Sequence, residues 1–124
     1  MVISSYFIKK SFSFFSLLIF LFLSFSGNSQ KWVQSGADID GEAAGDNSGS
    51  SISISSDGTI VAIGAPSAKI EGNVDAGHVR VYKYANNSWA QLGQDIDAEA
   101  PMDSSGGSVS LSSDGSIVAI GARF

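Results

Sequence analysis

Two stretches of this chain repeat each other, and the duplication restricts the possible folds more than any other feature. Residues 32–67 align with residues 89–124 at a constant spacing of 57 without a gap, and 23 of the 36 aligned positions are identical. Such a repeat predicts one structural unit used twice, whose open faces are buried against neighbouring copies. Trp32 and Trp89 recur at this spacing, so we expect them to pack within the units rather than to form a ligand platform.

The unit itself has the two-residue periodicity of β-strands. Ile52 and Ile54 alternate with serines, which predicts a strand with one apolar and one small polar face. Asp57-Gly58 follows, and it predicts a tight hairpin in which both turn residues adopt positive φ. Residues 59–65 are apolar on both faces, which predicts a buried second strand.

Two further strands complete the unit. Residues 78–84 predict the third strand, residues 85–88 a turn, and residues 89–96 the fourth strand. We therefore predict an all-β protein made of antiparallel four-stranded β-propeller blades. A ring takes roughly 4–8 blades, so about one and a half repeats predict a fragment, an incomplete propeller whose further blades are missing. The predicted parts are an outer strand at 31–40, a complete blade at 50–97 and a half blade at 107–124.

The first 29 residues have the pattern of a signal peptide. Two lysines precede an apolar core at residues 12–25, which is shorter than a membrane-spanning helix requires. Gly27 and Ser29 are small residues of the kind that signal peptidase recognises, and we predict cleavage after Ser29. The alternative is an uncleaved N-terminal anchor. Both interpretations place residues 30–124 outside the cytoplasm, secreted or at the cell surface.

The charge of the predicted mature region excludes several classes of partner. Residues 30–124 hold all 12 acidic residues but only five of the seven lysines and arginines, so their net charge is 5 − 12 = −7. Nucleic acid requires basic patches, and anionic membranes are disfavoured for the same reason. The chain has no cysteine, which excludes disulfides and thiolate metal sites.

Three segments resemble the FG-GAP repeat. Residues 48–55, Ser-Gly-Ser-Ser-Ile-Ser-Ile-Ser, lead to residues 61–66, Val-Ala-Ile-Gly-Ala-Pro, and then to residues 77–82, Gly-His-Val-Arg-Val-Tyr. FG-GAP repeats build the seven-bladed propeller of the integrin α type and many secreted bacterial propellers, so the resemblance implies adhesion or ligand binding. The chain departs from the family at residues 49–51, which replace the Phe-Gly pair with Gly-Ser-Ser. The connection at residues 55–58 has one carboxylate, where calcium-binding members have several.

Paired carboxylates are the most chemical-looking feature of the repeat. Asp38 and Asp40 recur as Asp95 and Asp97, and residues two apart on a strand share one face. Hard oxygen ligands of this kind could hold calcium at the rim of a blade. They could equally form a solvated acidic edge that prevents strands from pairing with other molecules. Further carboxylates near these pairs are Glu42, Asp46, Glu99 and Asp103.

No catalytic motif is visible in the sequence. His78 opens the third strand without an adjacent nucleophile or orienting carboxylate, so we expect a histidine at a surface strand end. No serine lies in a Gly-x-Ser-x-Gly turn, and no phosphate-binding loop occurs. We therefore assign no catalytic, cofactor-binding or metal-ligating residue and expect no cofactor.

These observations predict a non-catalytic extracellular propeller module for adhesion or ligand binding. Its expected partners are an extracellular protein or a glycan, together with further propeller blades. No nucleic acid is expected, nor a membrane in the mature form. The alternative is a fragment of a secreted propeller enzyme of the glycosidase or lyase type, whose catalytic residues lie in the missing blades.

Overall fold

The computed structural model describes residues 31–72 and 75–123, so the predicted signal peptide at 1–29 lies outside the described residues. The chain divides into two units, residues 1–33 and residues 34–124, and every strand lies in the second. The described part contains no helix, and consequently none that could cross a membrane. The prediction of an all-β, antiparallel protein is confirmed.

Seven strands form two sheets. The main sheet has the order β1-β2-β3-β4, with β5 also paired to β3, and the second sheet is the hairpin β6-β7. All pairings are antiparallel. The main sheet belongs to the first repeat unit and the hairpin opens the second. The strands are β1 Ser51–Ile54, β2 Ile60–Ala65, β3 His78–Ala85, β4 Ser88–Gln91, β5 Ile96–Asp97, β6 Ser108–Leu111 and β7 Val118–Gly121.

The β1–β2 hairpin turns at Asp57-Gly58 as predicted, but the predicted backbone conformation is wrong. Only Gly58 has a positive φ, of 73°. Asp57 keeps an ordinary φ because its carboxylate accepts hydrogen bonds from the Ser55 hydroxyl at 2.6 Å and from the Thr59 amide at 3.0 Å. The bond from Ser55, followed by those from Thr59, holds the pKa of Asp57 below its usual range. A carboxylate-capped turn therefore replaces the two-residue turn.

The second copy repeats this turn in detail. Asp114 accepts hydrogen bonds from the Ser112 hydroxyl at 2.6 Å and from the Ser116 amide at 3.1 Å. These bonds lower the pKa of Asp114 to about 2, with the Ser112 hydroxyl as the main cause. Gly115 takes the positive φ, of 71°, that Gly58 takes in the first copy. The turn is therefore determined by its own five residues.

The outer part of the main sheet departs from the predicted fourth strand. Tyr82 pairs with Gln91, whereas Val79 pairs with Ile96, so residues 92–95 stand opposite only residues 80–81. Two extra residues are therefore accommodated in a bulge, which ends β4 and separates it from β5. The predicted continuous strand at 89–96 is wrong for this reason. The bulge bends residue 95 out of the regular strand alternation.

Cross-strand pairs assign the side chains of the main sheet to two faces, because directly paired residues point the same way. One face, here called the hairpin face, is covered by β6 and β7. Its members are Ser51, Ser53, Ala62, Gly64, Val79 and Val81. The opposite side is here called the segment face. Its members are Ile52, Ile54, Val61, Ile63, Ala65, His78, Arg80 and Tyr82.

The second copy packs closely on the hairpin face. Ala62 and Val79 are completely buried there. Gly64 permits the approach, because a Cβ at this position would overlap the carbonyl group of Gly106. Side-chain hydrogen bonds join the copies as well: the Ser51 hydroxyl donates to the Gly106 carbonyl at 2.6 Å, and the Leu111 amide donates to Ser53 Oγ at 2.9 Å.

Residues 34–50 cover part of the segment face. Trp89 Nε1 donates to the Ser35 carbonyl at 2.8 Å, and the Ser67 amide donates to the Asp46 carbonyl at 3.2 Å. Ile52 and Ile54 on the same face remain 61% and 58% exposed. The segment face is therefore covered at one end and open at the other.

The predicted outer strand at 31–40 is not formed, because residues 31–50 contain no strand. The equivalent residues of the second copy, 88–91, form β4 by pairing with residues 82–85. Counting back 57 residues from that partner gives residues 25–28, which lie outside the described part of the chain. A strand of this type requires its hydrogen-bonded neighbour.

Candidate functional site

His78 is buried, which corrects the prediction of a surface histidine. It begins β3 on the segment face, and only 2% of it is exposed. Gly77, with φ 82°, allows the backbone of residue 105 to approach closely just before it. His78 Nε2 has no hydrogen-bond partner among the residues that the structure describes. A buried polar atom without a partner is costly and is uncommon in proteins.

Asp95 reaches His78 because of the outer-strand bulge. Asp97 is the backbone partner of His78 in the ladder, but the bulge brings Asp95 Oδ2 to 3.8 Å from His78 Nδ1. Gln91 Nε2 donates to Asp95 Oδ1 at 2.6 Å, which fixes the carboxylate and leaves Oδ2 facing the imidazole. The side chain of Asp95 is 25% exposed.

Glu42 approaches the same place from the segment at 34–50. Its Oε1 lies 3.6 Å from Arg80 NH1, whose side chain is only 9% exposed, while the side chain of Glu42 is 56% exposed. A buried guanidinium requires a nearby anion, so Arg80 holds this carboxylate at the edge of the sheet. The pair was not predicted from the sequence, because it joins residues 38 positions apart through tertiary packing.

Glu42, His78 and Asp95 together form the candidate site. Each contributes one potential ligand atom, and these atoms all lie within 4.8 Å of one another. One imidazole and two carboxylates can bind a divalent metal ion or exchange a proton. The described residues offer no serine, lysine or second histidine to this cluster as a nucleophile or base.

The acidic pairs of the repeat do not converge into one oxygen-rich loop. Asp38 accepts from Gln34 Nε2 at 2.8 Å, which matches the contact of Asp95 with Gln91 in the other copy. Asp40 and Asp97 are exposed. Asp46 and Asp103 have a structural role, since each accepts a hydrogen bond from the backbone amide three residues before it, at 3.1 Å and 3.0 Å.

The two tryptophans differ from each other. Trp89 is half-buried and packs against Tyr84 with ring centroids 5.0 Å apart, in agreement with the predicted packing role. Trp32 is 91% exposed, so the packing prediction is wrong for the first copy. Tyr84, the partner that covers Trp89, belongs to residues 82–85, whose counterparts in the first copy precede the described residues.

A signal for the His78–Asp95 contact was present in the sequence. A regular hairpin centred on the Asn86-Asn87 turn places residue 95 directly opposite residue 78, because 78 + 95 equals 82 + 91. Reading that register would have paired the only histidine with an aspartate of the repeat. No protein-family model, curated protein or solved structure matches the chain. The resemblance to FG-GAP repeats therefore stays a prediction from the motifs.

Proposed function

We propose that this chain is a β-propeller repeat module that is exported from the cell and binds a protein or a glycan without chemical turnover. The main sheet corresponds to one blade in this proposal, and β6-β7 corresponds to the inner half of the next. The FG-GAP resemblance supports the same architecture. The proposal requires further copies of the unit, because roughly 4–8 blades are needed to close a ring.

One observation carries the proposal, namely that equivalent residues of the two copies contact each other. The Ser56 amide and hydroxyl both donate to the carbonyl oxygen of Ser113, at 2.8 Å and 2.9 Å. These residues are separated by 57 positions, the length of the repeat. A contact between the same site on successive copies arises when one rigid operation relates each unit to the next.

Repeating one such operation gives either a closed ring or an open stack. Two features favour the ring. The units are sheets packed by their faces, and their short strands run in the order expected of propeller blades, each neighbouring the next in sequence. The contact is also head-to-tail, since the hairpin face of one copy meets the following copy and leaves its opposite face for the preceding one.

Binding is assigned to the connections rather than to the sheets, since scaffolds of this kind carry recognition in loops. The connection between β2 and β3 is the longest within the main sheet, and it carries exposed Lys69 and Glu71. Glu71 has a positive φ of 50°, which marks a tight, locally ordered backbone. A net charge of −7 after residue 29 supports solubility outside the cell.

Binding of the full chain to arrays of glycans and extracellular proteins tests this proposal. We expect saturable binding to at least one class, which the double variant Lys69→Ala/Glu71→Ala weakens and Glu99→Ala leaves unchanged. Bound glycans should be recovered with unchanged mass. Recovery of a cleaved glycan would contradict the proposal and favour the enzyme alternative.

Export is tested separately by mass spectrometry of the protein made in a secreting host. The expected N-terminus of the exported protein is at or near Gln30, because the predicted cleavage follows Ser29. A protein that keeps Met1 and remains in the cytoplasm would contradict the localisation. That result would leave the propeller architecture to be judged on its own tests.

A further inference from the structure

We propose that Glu42, His78 and Asp95 form a binding site for a divalent transition-metal ion of the zinc class. This inference stands independently of the propeller proposal, because it rests on side chains whose positions are described within one compact unit. The metal would be held by His78 Nδ1, Asp95 Oδ2 and one oxygen of Glu42. Solvent would supply the fourth ligand at the exposed side of Glu42.

The distance between His78 and Asp95 supports a metal better than a hydrogen bond. Nδ1 and Oδ2 are 3.8 Å apart, beyond the range of a hydrogen bond. Zinc binds imidazole nitrogen and carboxylate oxygen at about 2.0–2.2 Å each, so one ion can bridge atoms separated by up to about 4.2 Å. The observed separation falls within this span and leaves room for a bent arrangement of the ligands.

Glu42 completes the set with a small adjustment. Its ligand atom lies within 4.8 Å of the other two, and its side chain is 56% exposed and free to rotate. Closing the set needs movement of less than about 1 Å by the measure of the same bond lengths. The burial of the three ligands therefore rises steadily from Glu42 through Asp95 to His78.

The surroundings of the ligands resemble the outer shell of a metal site. Gln91 donates to Asp95 Oδ1 and so presents Oδ2 to the imidazole. Arg80 fixes Glu42 from the opposite side. With His78 neutral, the two carboxylates and Arg80 sum to one negative charge, which favours a cation. The proton of the imidazole then resides on Nε2, the nitrogen that points away from the carboxylates.

The ligand set selects among metals. Imidazole nitrogen suits zinc and its neighbours, whereas calcium takes six to eight oxygen ligands. The proposed site thus differs from the calcium site considered for the acidic pairs, since it takes one carboxylate from each repeat copy and a histidine between them. Asp38 supplies a matched control, because it has the same contact with a glutamine but belongs to no such cluster among the described residues.

Isothermal titration of the full chain with ZnCl₂ tests the site. We expect binding of one ion per chain, weakened about tenfold or more in Glu42→Gln, Asp95→Asn and His78→Ala. Asp38→Asn should bind like the unchanged protein, and calcium should not displace the zinc. Equal affinity in the unchanged protein and in Asp95→Asn would overturn the proposal. Equal weakening by Asp38→Asn would also overturn it.

A spectroscopic measurement covers the case in which His78→Ala does not fold. The chain contains one histidine, so its imidazole ¹⁵N resonances need no assignment. Zinc should move the Nδ1 resonance strongly while Nε2 keeps the shift of a protonated nitrogen. Unchanged imidazole resonances at saturating zinc would place the ion elsewhere and refute the assignment.

Discussion

The two repeat copies contain the same six-residue segment in different surroundings. Residues 60–65 and 117–122 are identical, Ile-Val-Ala-Ile-Gly-Ala. In the first copy Val61 is 8% exposed and Ala62 is fully buried, whereas in the second copy Ile117 is 66% exposed. The cause is the number of neighbours: β2 lies between β1 and β3, while β7 is paired only with β6 within the described residues. Identical sequence therefore does not imply identical burial in a repeat protein.

The first strands of the copies show the complementary pattern. In β1 the serines are partly covered and the isoleucines exposed, whereas in β6 Val109 and Leu111 are half-buried and the serines exposed. The copies therefore use opposite faces in their shared interface, as a head-to-tail contact requires. Matched substitutions at equivalent positions can measure how much this difference contributes to stability.

The largest difference is expected between Gly64→Ala and Gly121→Ala. A Cβ at Gly64 would overlap backbone atoms of Gly106, which cannot move without separating the copies, whereas at Gly121 it meets the side chain of Ser108, which can rotate. Gly64→Ala should lower the free energy of unfolding by about 3 kcal/mol, and Gly121→Ala by less than about 1 kcal/mol. Urea denaturation followed by circular dichroism measures both. Equal losses would show that the copies do not pack as described.

Ile60→Ala and Ile117→Ala provide a second matched pair. Ile60 packs against Gly115 in the turn of the other copy, whereas Ile117 is 66% exposed. We expect a loss of about 2 kcal/mol for Ile60→Ala and less than about 0.5 kcal/mol for Ile117→Ala, in the same denaturation experiment. A larger loss at Ile117 would indicate that another surface covers β7 in solution.

A smaller effect is expected when a single hydrogen bond between the copies is removed. Ser53 Oγ accepts from the Leu111 amide, whereas the equivalent Ser110 is exposed. Ser53→Ala should cost about 1 kcal/mol, and Ser110→Ala should be nearly neutral. Hydrogen exchange should show faster exchange of the Leu111 amide in Ser53→Ala alone. Unchanged exchange of this amide would contradict the contact.

The smallest effect, and the one that should be alike in both copies, concerns the turn carboxylates. Folding lowers the pKa of Asp57 and takes that of Asp114 from 3.8 to about 2. Because the folded pKa is depressed, the stabilisation is fully present above pH 3.8 and is lost as the pH falls towards 2. Carboxyl ¹³C titration should show both shifts, and Asp57→Asn or Asp114→Asn should flatten the acid dependence. Ordinary pKa values for both would refute the capped turn.

The local features of the fold could be predicted from the sequence. The alternation at residues 51–55 identified β1, the apolar run identified β2 as buried, and the Asp57-Gly58 pair located the turn. These features depend on residues close together in the chain. The turn conformation was wrong because the positive-φ rule for Asp-Gly overlooked the competing hydrogen bonds of the Asp57 carboxylate with Ser55 and Thr59.

The candidate site was less predictable because it depends on tertiary packing. The bulge at residues 92–95 has only Gly93, with φ 75°, as a local indication. The burial of His78 follows from the approach of Glu42 and of the second copy, which no local pattern encodes. Its contact with Asp95 could have been anticipated from the hairpin register, but only as a neighbouring pair and not with its geometry.

The duplication has a further consequence for how the chain folds. Since β7 has the same sequence as residues 61–64 of β2, β1 could pair with β7 through the same side chains. The native β1–β2 connection spans five residues, 55–59, whereas the exchanged connection would span 63 residues, 55–117. Loop-closure entropy favours the native pairing by about 2 kcal/mol, a modest margin. The short, carboxylate-capped turn thus acts as a kinetic and thermodynamic safeguard against strand exchange, both within one chain and between chains at high concentration.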